Sequence, residues 1–131
     1  MISSREIAVL TGIDHRDVVE TSLALVEDWI LPRAFVFTEE ESFTLIAHLS
    51  PAHIDDLAAR WEQLRNMDGG ITATKLARRL GLKSAQAANR MLAEEGYQVR
   101  ISGYWTPTRK GMPYCSTGQD SRTLLWSGIE P

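Results

Sequence analysis

Two adjacent glycines, Gly69 and Gly70, stand where a long helical pattern stops and divide the 131-residue chain near its middle. Neither half is long enough for a large layered sheet. The chain therefore folds either as one modest domain or as two very small modules joined at Asn66-Met67-Asp68-Gly69-Gly70. Cys115 is the lone cysteine, so no internal disulfide can form, and no cysteine or histidine cluster has the spacing of a structural zinc site. Stability must come from packing, with no metal and no cofactor expected.

Charge follows the same division. Residues 1–66 carry five arginines against twelve acids, net −7, whereas residues 67–131 carry nine lysines and arginines against five acids, net +4. The whole-chain value of −3 conceals this. A basic half can approach phosphate and an acidic half is repelled by it, unless both are simply solvated faces of one domain. With 44% hydrophobic and 24% charged residues, the composition is that of a globular rather than a disordered chain. No apolar run approaches the roughly 18 residues that a membrane span needs, and the N-terminus lacks a signal-like apolar core. A cytoplasmic protein with no membrane partner is expected.

In the first half, Ser3 and Glu6 read as a capping box opening a short helix that ends at Gly12. Asp14 caps a longer helix, on which Val19, Leu23, Val26 and Ile30 recur at helical spacing, widened by Val18, Leu25 and Trp29, until Pro32 stops it. Phe35-Val36-Phe37 has strand preference. Thr38 and Glu41 form a second capping box, opening a helix through Phe43, Leu45, Ile46 and Leu49. Ser50-Pro51 caps the next, with Ile54, Leu57, Ala58, Trp61 and Leu64 on the apolar stripe and Asp55, Asp56, Arg60 and Glu62 exposed.

The second half repeats the opening theme. Thr72 caps a helix with Ala73, Leu76, Ala77 and Leu80 inward, ended by Gly81. After the tight turn Leu82-Lys83, Ser84 caps a second helix burying Ala85, Ala88, Met91 and Leu92, ended by Gly96. Tyr97, Val99 and Ile101 then alternate with Gln98 and Arg100, and Ser102-Gly103 turns the chain into Tyr104-Trp105, a hairpin signature. A short helix to about Tyr114, a polar stretch with Gly118 and a strand-like Leu124-Leu125-Trp126 complete the pattern.

Two short helices joined by a glycine-containing turn and followed by a hairpin predict a winged helix-turn-helix. The fold class expected is mainly α with small β-hairpins, in two such modules: residues 1–66, acidic, and residues 71–131, basic. In the second module the start of the second helix would face base edges with Ser84, Gln86, Asn89 and Arg90. Arg78, Arg79 and Lys83 would meet phosphates and Arg100 would sit on the wing. The equivalent helix of the first module offers His15, Arg16, Asp17 and Glu20, with Glu27-Asp28 beyond, and should repel DNA. Asp17, Glu20 and Glu27 are instead candidate rim charges for a basic protein partner.

Leu92-Ala93-Glu94-Glu95-Gly96-Tyr97-Gln98, Gly103-Tyr104-Trp105-Thr106-Pro107-Thr108, Lys110-Gly111-Met112-Pro113-Tyr114, Thr117-Gly118 and Leu125-Trp126-Ser127 form an ordered series of small motifs. Over residues 71–128 this series resembles the C-terminal domain of bacteriophage antirepressors, the KilA C-terminal type. Ser3-Ser4-Arg5-Glu6-Ile7-Ala8 through Thr11-Gly12, with Phe37-Thr38 and Phe43-Thr44-Leu45, more weakly resembles the N-terminal region of Rha-type phage regulatory proteins. The resemblance implies a phage or prophage transcription regulator. Such a protein either captures a repressor, relieving repression, or binds duplex DNA directly; association into homo-oligomers stays open.

An enzyme is not expected. His15, His48 and His53 are scattered, and surface or capping roles suffice for them. Nothing marks Cys115 as a nucleophile. Glu39-Glu40-Glu41 suits the dipole of a helix's first turn without a metal. No glycine-rich phosphate loop or nucleophile elbow is present. Trp29 and Trp61 lie on apolar stripes and read as core, and Trp105 and Trp126 read as large side chains that close a small core, with a partner surface as the alternative.

Overall fold

The computed structural model describes residues 1–25, 36–67, 69–117 and 123–129. Among these residues the chain is mainly helical, with six α-helices and three two-stranded antiparallel sheets, and it separates into two compact units, Met1–Gln63 and Leu64–Pro131.

The first unit opens with β1 (Ile2–Ser3), which pairs with β2 (Val36–Phe37) in the register Ile2↔Phe37. Its helices are α1 (Ser4–Thr11), α2 (His15–Ala24), α3 (Glu39–Leu49) and α4 (Ile54–Arg65). The caps form where polar oxygens precede each helix. Ser3 Oγ accepts the Glu6 N–H, Asp14 accepts the Arg16 N–H, and Thr38 and Glu41 complete both halves of their capping box. Each such cap contributes about 1 kcal/mol. Gly12, at φ 71°, closes α1 in the left-handed conformation. Ser50 differs from its expected role: it leads into a 3-10 turn over Pro51–His53, and its hydroxyl pairs with His53 Nδ1.

Ile2, Ile7, Leu10, Val18, Phe37, Leu45, Ile46, Leu57 and Trp61 are buried in this unit. Trp61 donates its indole N–H to Ser42 Oγ at 2.9 Å, so the polar edge of the ring is satisfied inside the core. The buried line on α2 is Val18 and Ser22, while Leu23 is 54% exposed, which rotates the helix away from the expected Val19–Leu23 stripe. The expected continuation of that helix through Val26, Glu27, Trp29 and Ile30 to Pro32 lies outside the described residues, as does Phe35.

Helix α4 corrects a second expectation. Arg60 is not on its solvent face: it lies beside Leu57 and Trp61 and is 1% exposed, whereas Ala58 is exposed and Ile54 is 36% exposed. The reason is an ion pair. Arg60 Nε donates to Glu6 Oε2 at 3.0 Å with both side chains almost fully buried, and Arg60 Nη1 reaches Gln63 Oε1 at 3.3 Å. Glu6 thus turns inward, pairing α1 with α4 across 54 positions of sequence.

His15 links the start of α2 to α1, its Nε2 standing 2.8 Å from the buried Ser4 Oγ. Desolvation, and then the Arg5 charge, lower its pKa below the ordinary 6.5, while Asp14 opposes them in part. A histidine with a depressed folded-state pKa contributes stability that is present above pH 6.5 and is lost as the pH falls through the folded value. Unfolding free energy should therefore decline as the pH drops below 6.5, and His15→Gln should flatten that decline. An unchanged slope in the variant would show that other groups control it.

The second unit contains α5 (Ala73–Leu80) and α6 (Ala85–Glu94), followed by the hairpin β3 (Gln98–Ile101) and β4 (Tyr104–Pro107). A 3-10 turn over Met112–Tyr114 replaces the expected short helix, and β5 (Cys115–Thr117) pairs with β6 (Leu124–Trp126). The polar stretch from Gly118 to Arg122 lies outside the described residues. Leu76, Leu92, Cys115, Trp126 and Ile129 form the core, with Ile71, Leu80, Met91, Tyr97 and Leu124 packed around it. Cys115 is thus a core side chain.

Ile71 and Trp126 exchange backbone hydrogen bonds of 2.9 and 2.8 Å, fastening the segment before α5 to β6. Gly70 is part of that fastening, since a Cβ there would lie 3.0 Å from Leu125 Cβ. The glycine pair is accordingly not slack chain throughout. At Gly111 the Tyr97 carbonyl occupies the place a Cβ would take. The Lys110-Gly111 step therefore admits only glycine without moving the backbone at the base of the hairpin.

Ser102 and Gly103 have φ of 51° and 84°, the two left-handed residues of the tight hairpin turn. Gln98, Thr106 and Pro107 are buried at the base of the hairpin, whereas Val99 and Tyr104 are 42% and 43% exposed. Burial therefore does not follow the alternation of Tyr97, Val99 and Ile101.

Candidate nucleic-acid interface

The amphipathic pattern of α5 decides where its cations go. Leu76 and Ala77 are buried, so Lys75, Arg78 and Arg79 stand on the exposed side. The helix ends at Gly81, φ 73°, where the Leu82 N–H bonds back to the Ala77 carbonyl at 2.8 Å. Lys83 is exposed in the four-residue turn, and Ser84 starts α6 by accepting the Ala87 N–H at 3.1 Å.

Ala88 and Leu92 anchor α6 to the core, leaving Gln86 and Arg90 exposed one turn apart. Gln86, Arg90 and Glu94 thus form an exposed polar stripe along α6, with the cap residue Ser84 and Lys83 exposed ahead of its first turn. None of Lys75, Arg78, Arg79, Lys83 and Arg90 makes an ion pair with an acid among the described residues. Their charges remain solvated and free to attract an anion.

Asn89 departs from the expected arrangement. It is half-buried, and Gln98 Nε2 donates both to its carbonyl at 3.1 Å and to its Oδ1 at 3.0 Å. Its role here is to brace α6 against the hairpin. Arg100 is on the hairpin as expected, its guanidinium 4.6 Å from the Trp105 ring centroid and its Nη1 donating to the Gly103 carbonyl at 3.1 Å. Lys110 is committed elsewhere, over the Tyr97 ring at 4.7 Å and donating to the Glu95 carbonyl at 2.6 Å.

In the first unit Asp17 and Glu20 are exposed on α2, close in sequence to the exposed Leu23 and Ala24. Glu27 lies outside the described residues. His48 Nδ1 approaches the Thr44 carbonyl at 3.0 Å and His53 pairs with Ser50, local contacts within and after α3. Among the described residues no group of three or more His, Cys, Asp or Glu is arranged to hold a metal, and no helix is long and apolar enough to cross a membrane.

Two buried polar features were not legible as such in the sequence: the Glu6–Arg60 pair and the inward-turned Gln98. These residues look like surface positions in their own elements, and only contacts distant in sequence bury them. Compared with protein-family models, curated proteins and solved structures, the chain finds no significant match.

Proposed function

We propose that the chain is a transcriptional regulator whose unit Leu64–Pro131 binds duplex DNA as a winged helix-turn-helix. The observation that carries this reading is the group of five exposed cations that make no ion pair with an acid among the described residues, distributed over α5, the turn and α6. In this reading α6 enters the major groove with Ser84, Gln86 and Arg90 towards base edges. Arg78, Arg79 and Lys83 neutralise flanking phosphates, and the hairpin with Arg100 touches the neighbouring backbone. Asn89 is withdrawn from base reading by its bonds to Gln98.

Sequence selection from a random duplex pool supplies the test. Arg90→Ala should cost about 1–3 kcal/mol on selected sites and relax the preference at one base pair, as removal of a guanine-reading arginine does. Arg100→Ala should weaken all sequences alike. Recovery of no enriched sequence, with no retention of duplex at low salt, would remove the reading.

A second reading, repressor capture of the antirepressor type, is favoured by one specific feature: Leu23, 54% exposed, near Asp17 and Glu20 on α2. An apolar centre with an acidic rim suits the basic DNA-reading face of a phage repressor, with the rim speeding encounter and the apolar contact supplying affinity. Asp17→Lys combined with Glu20→Lys should slow association with such a repressor several-fold at low salt. Association unaffected by the double reversal would move the contact away from α2.

A further inference from the structure

The hairpin of β3 and β4 is tied to the end of α6 at its base. The Tyr97 N–H bonds to the Leu92 carbonyl at 2.8 Å, the Thr108 N–H to the Tyr97 carbonyl at 3.1 Å, and the Thr108 hydroxyl donates to the Gly96 carbonyl. Two strands alone have little independent stability, so the direction of this ribbon depends on its contacts with the helix. Gln98, the first residue of β3, supplies one from its side chain. Its Nε2 donates to the backbone carbonyl and to Oδ1 of Asn89, on α6, at 3.1 and 3.0 Å.

That contact is made at a cost. Gln98 is 3% exposed, and its Oε1 is buried without a hydrogen-bond partner among the described residues. An apolar side chain of the same length would fill the place without an unmet acceptor, so the amide adds less to stability than to geometry. The geometry it sets joins two cations. Asn89 immediately precedes Arg90 on α6, and Gln98 stands two residues before Arg100 on β3. Arg100 is itself held to the hairpin, its guanidinium 4.6 Å from the Trp105 ring centroid and its Nη1 donating to the Gly103 carbonyl at 3.1 Å. The hairpin that carries Arg100 is thus fixed to the turn of α6 that carries Arg90, and both cations are exposed.

We propose that Gln98 is a positioning residue for duplex binding: through Asn89 it sets the hairpin against α6 so that Arg100 meets the backbone while Arg90 faces the bases of the same site. The inference rests on the DNA-binding reading above and adds to it the buried side chain that gives the surface its shape. Gln98 acts without touching DNA, since it is enclosed. Setting the two cations on one body in advance spares the ordering that a loose hairpin would undergo on binding. Loss of the amide therefore acts on the Arg100 contact and leaves the cations of α5 and the following turn where they are.

The test is a double-mutant cycle on the full chain, with affinity for a labelled duplex read by fluorescence anisotropy at 0.1 M salt. In the parent, Arg100→Ala should weaken binding about five- to tenfold, the effect of losing one phosphate contact. In Gln98→Met, which keeps the bulk and removes the donor, the same substitution should weaken it less than about twofold, whereas Lys83→Gln should matter as much as in the parent. A role in folding alone would not separate these two cations. Amide residual dipolar couplings of Gln98→Met, measured by nuclear magnetic resonance without DNA, should no longer fit the parent's arrangement of α6 and hairpin. Asn89→Ala, which removes one of the two acceptors, should diminish the Arg100 effect in part and serves if Gln98→Met fails to fold. An Arg100 effect of equal size in parent and variants, or couplings that Gln98→Met leaves unchanged, would overturn the positioning role while DNA binding stands. A parent that retains no duplex at low salt would overturn both.

Discussion

Arg60→Met is expected to destabilise the unit Met1–Gln63 by about 3–5 kcal/mol, because it removes the guanidinium with which the buried Glu6 carboxylate pairs. Glu6→Leu alone should cost a similar amount by removing the carboxylate to which Arg60 Nε donates. The loss is large on the scale of a small unit, whose whole stability is on the order of 5–15 kcal/mol. The double variant Glu6→Leu/Arg60→Met should recover most of it, since apolar side chains of similar volume remove both desolvation costs together. Urea unfolding followed by far-ultraviolet circular dichroism measures all three. Additive losses in the double variant would mean that the two residues act separately and that the pair does not organise α1 against α4.

Much of the local structure was legible because it depends on neighbours in sequence. Ser3, Asp14, Thr38, Thr72 and Ser84 all cap the helices expected of them, and Gly12 and Gly81 end theirs in left-handed conformation. The Ser102-Gly103 turn is legible for the same reason: a two-residue turn with positive φ at both positions matches the twist of the strands that flank it.

Facing was less legible, because partners elsewhere in the chain decide it. Glu6 sits where a capping box would use it, yet Arg60 draws its carboxylate into the core. Val99 has the better strand preference, yet the Asn89 carbonyl and amide give Gln98 a buried polar place to go. Periodicity places Leu23 on an inward stripe, but Val18 and Ser22 take that side of α2. The same limit applies to the interface. The cations of α5 and α6 could be assigned to exposed faces from spacing alone, whereas the withdrawal of Asn89 could not.

The second large effect concerns those cations. Arg78, Arg79 and Lys83 lie around the turn between α5 and α6, exposed and, among the described residues, paired with no acid. Removing one cation that neutralises a phosphate should lower the slope of log K against log salt by about 0.9, so Arg78→Gln/Arg79→Gln/Lys83→Gln should lower it by about 3. At 0.1 M salt that corresponds to a fall in affinity on the order of a hundredfold or more, with folding unaffected because none of the three packs in the core. Arg90, which the proposed docking turns towards base edges, should change sequence preference far more than it changes this slope.

The most direct measurement is the salt dependence of duplex binding by the intact chain and by this triple variant, read by fluorescence anisotropy of a labelled random duplex. A steep slope for the parent, reduced by about 3 in the variant, is the result expected of a DNA-binding surface on α5 and α6. A parent that retains no duplex at low salt, or a slope that the triple substitution leaves unchanged, would contradict it.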